Sequence, residues 1–298
     1  MKRKGFGVFI LTNGRPDRVI TYETIRRQGY TGPIWIVIDD DDPTGTEYRK
    51  RYGAEVISFS KAEIAKRFDE ADNFYDRRSI VYARNACFDL AKKVGLTSFL
   101  QLDDDYRNFV YRFDGDHLYT GSLVYSLDAL CDAMVDWLEA TPALTVAFSQ
   151  GGDHIGGGES HGLRAIRAKR KAMNTFFCLT DRRFDFVGRI NEDVNTYVGL
   201  GRRGGLFLTL MSVQVNQTQT QSNEGGMTEL YVDSGTYVKT FYTVMFAPSC
   251  VKISTMGRTH RRIHHRVRWR NAVPVILRAE HKKGRAPAAR PIPGLSPA

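Results

Sequence analysis

Three consecutive carboxylates, Asp103, Asp104 and Asp105, follow directly on the run Ser98-Phe99-Leu100-Gln101-Leu102. Acids one residue apart at the end of a buried strand can both approach one hard divalent cation, and such a cation neutralises a diphosphate. An Asp-x-Asp in isolation is more often a solvated turn; its place behind an apolar strand makes it a candidate site. Two further strand candidates end in polar clusters: Gly7 to Leu11 in Thr12-Asn13-Gly14-Arg15, and Ile34 to Ile38 in Asp39 to Asp42. Open α/β sheets bind ligands at the carboxyl ends of their strands, so the three clusters are expected to line one crevice. The chain has no GxxxxGK[ST] loop, no HExxH and no GxGxxG after the first strand, which removes the usual supports for ATP hydrolysis, zinc proteolysis and nicotinamide chemistry.

The elements that must position these residues read as an alternation. Strands are expected over Gly7 to Leu11, Ile34 to Ile38, Glu55 to Phe59 and Ser98 to Leu102. The helices expected with them are Val19 to Gln28, Thr46 to Tyr52 and Ser79 to about Lys93. Continuous apolar runs of this length suit strands covered on both faces, so the first 105 residues predict an open parallel sheet with helices on both faces. The second half is mixed. Leu127 to Ala140 is an amphipathic helix and Ala143 to Phe148 a strand, and a Gly-rich loop from Gln150 to Gly158 suits a mobile lid. Turns are expected after Phe184, and Thr, Val, Tyr and Phe content predicts strands over Leu206 to Val215 and Tyr237 to Met245. Asn216 to Gln221, alternating amides and Thr, resists assignment, and the amide-rich segment Asn216 to Asn223 is a candidate acceptor contact by position.

Charge is unevenly placed. The net charge of +10 lies entirely in residues 258–298, which hold eleven Lys/Arg and one acid, Glu280; the body carries 32 residues of each sign. Such a segment points to a polyanionic partner, nucleic acid ahead of an anionic membrane. Within it, Arg258, Arg261, Arg262, Arg266, Arg268 and Arg270 surround Trp269, which either stacks on a base or, the favoured reading, anchors the segment in the core. No apolar run reaches the ~20 residues of a membrane span. The four cysteines (Cys87, Cys131, Cys178 and Cys250) form no CxxC pair and fit a reducing cytoplasm. The organisation expected is a catalytic domain over residues 1–257, a basic His/Arg-rich segment over 258–281 packed on or completing it, and a disordered tail over 282–298.

The order of Thr12-Asn13, Asp39, Ala83-Arg84-Asn85, Asp103-Asp104-Asp105 and Asn191-Glu192-Asp193 resembles that of GT-A-type nucleotide-sugar glycosyltransferases. More narrowly, several stretches resemble the phage TET-associated DNA glycosyltransferase family: Gly29-Tyr30-Thr31-Gly32-Pro33, Tyr82 to Cys87, Gln101 to Tyr106, Gly188 to Asn195 and His260 to His265. The resemblance implies a GT-A-like sheet, a UDP-sugar donor (UDP-glucose or UDP-N-acetylglucosamine), Mn²⁺ or Mg²⁺, and 5-hydroxymethylated pyrimidines in DNA as acceptor. It implies the cytoplasm of an infected bacterial cell as the setting. Carried over by position, Thr12, Asn13, Arg15, Asp39, Arg84 and Asp104 match donor-binding positions and Asp103 and Asp105 the metal-binding acids. Asp193 matches the catalytic base of inverting members, with a retaining route open if no carboxylate reaches the acceptor. A late histidine often completes such a metal site; His260, His264 and His265 are candidates, with His264 preferred. Other readings of the same residues are a UDP-sugar transferase acting on protein or glycan, a nucleotidyltransferase, and a non-catalytic nucleic-acid-binding protein.

Overall fold

The computed structural model describes residues 3–71, 76–116, 118–154, 166–217, 227–257 and 261–274. In the first hundred residues, β1 (Phe6–Leu11), β2 (Ile34–Asp39), β3 (Val56–Phe59) and β4 (Ser98–Asp103) lie in the order β3-β2-β1-β4, all parallel. The crossovers carry α1 (Ile20–Arg27), α2 (Gly45–Tyr52), α3 (Lys61–Ala65) and α4 (Val81–Lys93). Successive strand residues face opposite sides of the sheet, so an all-apolar strand feeds two cores. Phe9, Leu11, Val37 and Phe99 pack under α4, whereas Val8, Ile10, Ile36, Leu100 and Leu102 join the core on the other face.

Beyond β4 the sheet turns mixed, as expected. β5 (Tyr106–Tyr111) doubles back immediately, α5 (Leu127–Glu139) leads to β6 (Ala143–Gln150), and β7 (Ile166–Arg167), β8 (Phe176–Leu179) and β9 (Leu206–Gln217) complete the sheet. Its order is β3-β2-β1-β4-β8-β6-β9-β5, with β8 antiparallel to both β4 and β6, β6 parallel to β9, and β7 on β9. This topology brings the ends of β1, β2, β4, β6 and β9 and the starts of β5 and β8 to one edge of the sheet.

Two expectations are corrected. Tyr237 to Met245, expected as a strand, belongs to α7 (Met227–Phe246), which is broken at Gly235 with φ +68°. Its buried positions Thr240 and Thr243, followed by buried Ala247, come at helical spacing, and that burial outweighs the weak strand preference of Thr, Val and Tyr. The region after Phe184 is not only turns: α6 (Glu192–Gly201) starts there, buried along most of its length. A small hairpin of β10 (Val251–Met256) and β11 (Arg262–Val267) packs on α7, and α8 (Trp269–Ala272) follows. Trp269 stacks on Tyr197 of α6, centroids 5.6 Å apart and planes 16° apart, which is the anchoring role. All four cysteines are buried free thiols. No helix among the described residues is long and apolar enough to cross a membrane. Residues 155–158 of the glycine-rich loop, 218–223 of the amide-rich stretch, Arg258, His260 and the 282–298 tail lie outside the described residues.

Candidate active site

The strand-end clusters meet as expected. Leu11 of β1 sits in register with Val37 of β2 and Asp103 of β4, so the residues after each strand emerge side by side. Thr12 donates its hydroxyl to Asp104 Oδ2 at 2.6 Å and lies 2.8 Å from the Tyr48 hydroxyl, which accepts the Arg15 N–H at 3.0 Å. Arg15 Nε reaches the same Asp104 oxygen at 2.9 Å. Asp104 is buried, and burial raises its carboxyl above the usual range against the opposing pull of Arg15 and Thr12. Asn13 donates to Asp39 Oδ2 at 2.8 Å, and Lys61 Nζ pairs with the same oxygen at 2.7 Å. Asp42 Oδ2 accepts the Gly14 N–H at 2.9 Å. Asp39 and Asp104 therefore brace the loop after β1 from both sides.

The triple-acid turn is clamped by α1. Thr21 donates its hydroxyl to the Asp103 carbonyl at 2.6 Å and its N–H to the Asp104 carbonyl at 3.0 Å, and its oxygen accepts the Tyr106 N–H at 2.9 Å. Asp105 is pushed up to about 7 by burial first, then by Asp103 and Asp104. Of the three carboxylates, Asp104 is paired with Arg15 and Asp103 with Arg84, and both still oppose ionisation of Asp105.

Arg84, a helical residue that a solvent-facing position would also explain, is 1 % exposed. Its Nη2 holds Asp103 Oδ1 at 3.0 Å and its Nε holds Glu192 Oε1 at 3.0 Å. The guanidinium lies 5.0 Å from the Phe176 ring centroid, and Nη1 is buried with no hydrogen-bond partner among the described residues. One arginine thus ties the β4 acids to the start of α6. Gly188, at φ +74°, begins the approach to α6; a Cβ there would lie 2.6 Å from Phe246 and 2.7 Å from Asn195. Asn191, immediately before the helix, adopts a left-handed φ of 54° and sends Nδ2 to the Lys239 carbonyl at 2.7 Å. Non-glycine residues in this region carry strain, which concentrates at functional sites. Glu192 and Asp193 behind it are both buried and both raised above the carboxylate range by burial, with Arg84 opposing. Asp193 Oδ1 accepts the Val194 N–H at 2.7 Å, and Lys171 and Lys239 add favourable charge.

The residues with chemical potential are therefore one connected site, and the chain around it matches a known family. A family model described as TET-associated glycosyltransferase matches residues 6–226. The chain belongs to the TET-associated glycosyltransferase family. It is a glycosyltransferase, with the GT-A-like sheet that the order of its motifs implies. No curated protein matches this glycosyltransferase. Among solved structures, a mycobacterial protein is similar with 10% identity over 89% of this chain and 84% of its own, at a TM-score of 0.43. Staphylococcus aureus TarS is 12% identical over 71% of this chain and 36% of its own, at a TM-score of 0.39. TarS 1–349 in complex with UDP-GlcNAc is 12% identical over 77% of this chain and 64% of its own, at 0.38.

The acids of the glycosyltransferase suit a divalent cation. Magnesium-type ions are held by one or two protein carboxylates, with water and substrate phosphate completing the shell, and Asp103 and Asp105 supply two mutually repelling carboxylates. His264 does not join them as a preformed third ligand: among the described residues no three His, Cys, Asp or Glu side chains are grouped to hold a metal. It lies on β11 beside His265, ring centroids 4.3 Å apart, where burial first, and then Arg262, Lys239 and Lys171, lower its basicity. Sequence reasoning missed Tyr48, Thr21, Lys61, Lys171 and Lys239. None belongs to a motif; only the folded arrangement reveals them.

Proposed function

We propose that this glycosyltransferase moves a sugar from a UDP-sugar to the hydroxymethyl group of a 5-hydroxymethylated pyrimidine in DNA, with inversion and with Asp193 as base. The observation that carries the reading is the Arg84 bridge. It sets the strand-end carboxylates, where a donor diphosphate would bind, beside the buried Glu192–Asp193 pair, where an acceptor hydroxyl would be activated. UDP as the leaving nucleotide draws on the order of Thr12-Asn13, Asp39, Arg84 and the triple acid along the chain. DNA as acceptor draws on the family description and on the eleven Lys/Arg of residues 258–298.

In this reading Asp103 and Asp105 hold Mn²⁺ or Mg²⁺. Bound there, such an ion supplies electrostatic stabilisation of the departing diphosphate. The chain's own residues do the rest. Thr12, Asn13, Arg15 and Asp39 shape the nucleoside end of the crevice, and Asp104 fixes that loop through Thr12 and Arg15. The free Nη1 of Arg84 is a donor for a phosphate oxygen. Asp193, its carboxylate held by the Val194 N–H, accepts the proton of the acceptor hydroxyl. The new bond forms between that oxygen and the anomeric carbon, while the bond to the diphosphate oxygen breaks and UDP leaves. A carboxyl raised toward neutrality suits this task, because a base works best with a pKa near the operating pH.

The test is transfer itself. Hydroxymethylcytosine DNA, Mn²⁺ and a panel of UDP-sugars are incubated with the enzyme, and released nucleosides are weighed. A sugar-sized mass gain is expected, lost in Asp103→Ala/Asp105→Ala and reduced about 10²–10⁴-fold in Asp193→Asn. UDP release without modified nucleoside would discard the DNA acceptor, and full activity in Asp193→Asn would discard the base.

A further inference from the structure

Three segments converge on the start of α6 and bring cations with them. Lys171 lies in the stretch before β8, its carbonyl accepting the Thr209 hydroxyl at 2.9 Å. Lys239 lies on α7, its carbonyl held by Asn191, two residues before Asp193. Thr240 donates to the Ile263 carbonyl at 3.2 Å, which ties α7 to β11 and its Arg262, His264 and His265. The two imidazoles lie 4.3 Å apart, and His265 Nδ1 is buried with no partner among the described residues.

The charges around this cluster are lopsided. Asp193 faces both lysines and Glu192 faces Lys239, while Lys171 also reaches Asp153 at 3.8 Å, an acid already paired with Arg170. At the imidazole end the charges are all cationic: Arg262, Lys239 and Lys171 act on His264, and His265 is lowered to about 4 by burial, by His264 and by the two lysines. Two half-buried lysines beside a buried ring nitrogen with no partner among the described residues make a favourable surrounding for an added anion. A phosphate diester fits, because it takes several charge-assisted hydrogen bonds at once.

We propose that Lys171, Lys239, Arg262, His264 and His265 seat a backbone phosphate of the acceptor strand next to Asp193. The inference rests on the DNA-acceptor reading above and deepens it. Position separates this phosphate from the donor's. In an inverting displacement the activated hydroxyl and the leaving diphosphate lie on opposite faces of the anomeric carbon. Lys171 and Lys239 act on Asp193, beside Glu192 at the α6 end of the Arg84 bridge, whereas the strand-end acids are held at its β4 end. His264 then serves as an anion partner, and its cationic surroundings suit that role better than metal ligation.

The experiment uses the full chain and single-hydroxymethylcytosine duplexes in which the phosphates flanking the modified nucleotide are either natural or neutral methylphosphonates. Neutralisation is expected to raise the DNA KM about tenfold or more, with the donor KM unchanged, since a charge-assisted hydrogen bond is worth about that factor. Lys239→Gln/His265→Gln is expected to raise the DNA KM similarly and to respond no further to methylphosphonate. Its salt slope is expected to fall by about one for each phosphate interaction removed. Wild-type transfer indifferent to the neutral phosphates would overturn the inference and leave the DNA reading intact. So would a variant whose donor KM rises instead, because that assigns the cluster to the diphosphate. No transfer to this DNA at all would remove the underlying reading and the inference with it.

Discussion

Replacing Arg84 with Met keeps the length and apolar stem of the side chain and deletes the one charge that bridges Asp103 and Glu192. The arginine is 1 % exposed, and its partners' side chains are 21% and 7% exposed, so water recovers little of the loss. Removing one partner of a buried ion pair costs about 3–5 kcal/mol, because the remaining charge stays uncompensated. Against a total stability of roughly 5–15 kcal/mol this is a large share, and it corresponds to a fall in Tm on the order of 10 °C for a chain of this size.

The pH dependence separates charge from packing. Without Arg84 the Glu192 and Asp193 carboxyls, already raised by burial, rise further, so the folded state takes up protons that the unfolded chain releases. Stability of the variant must therefore fall as pH rises from about 5 to 8, and its deficit against wild type must be larger at pH 8 than at pH 5. Urea unfolding at both pH values, read by circular dichroism, measures this directly. Adding Glu192→Gln to Arg84→Met removes one stranded charge and is expected to recover about half of the loss at pH 8. A deficit under about 1 kcal/mol, or one equal at the two pH values, refutes the idea that Arg84 compensates buried charge here.

Three shorter predictions follow. Asp105→Asn is expected to stabilise the metal-free protein at pH 8, by at most about 4 kcal/mol. The folded pKa of Asp105, about 7, lies above its unfolded value, so ionisation costs stability as pH rises between these values, and the gain disappears below about pH 4. Thermal unfolding in EDTA checks this, and Mn²⁺ added to about 100 Kd should raise wild-type stability by about 2.7 kcal/mol but not that of the variant. The acidic limb of kcat/KM should lie above the ordinary carboxylate range, since burial holds Asp193 up; a limb near pH 4 would assign it to an exposed acid. Trp269→Ala is expected to cost about 1–3 kcal/mol through lost stacking on Tyr197, with the DNA KM little changed. Unchanged stability with weakened DNA binding would make Trp269 a base-stacking residue instead.

How much of this was legible before the fold depended on whether a residue's environment was set locally. The parallel half was readable because Phe6–Leu11, Ile34–Asp39 and Ser98–Asp103 are buried on both faces, and each apolar run ends where polar residues must meet ligand or solvent. The helix α6 was not. Asn195, Thr196, Tyr197, Val198 and Gly199 are poor helix formers, and burial along most of the helix leaves no amphipathic period to detect. In α7 composition pointed to a strand, and only packing against β10 and β11 selects the helix.

The site divides along the same line. Asp103 to Asp105 announce themselves because the apolar run of β4 leads directly into them, although the partners that hold them, Thr12, Arg15, Thr21 and Arg84, are distant in sequence. Arg84 announces a motif but not its burial, since its partners lie 19 and 108 residues away. Lys171 and Lys239 announce nothing, and His264 and His265 announce themselves only as candidate metal ligands, since only the meeting of the β8 approach, α7 and β11 gives the four a common charge environment. The residues left unread are thus those whose chemistry arises from tertiary convergence, Tyr48, Thr21 and Lys61 at the strand ends as much as Lys171 and Lys239 near Asp193. On the proposed inverting reading the acceptor hydroxyl meets Asp193, and what surrounds it there, Lys171 and Lys239 among them, is set by tertiary packing that no local pattern encodes.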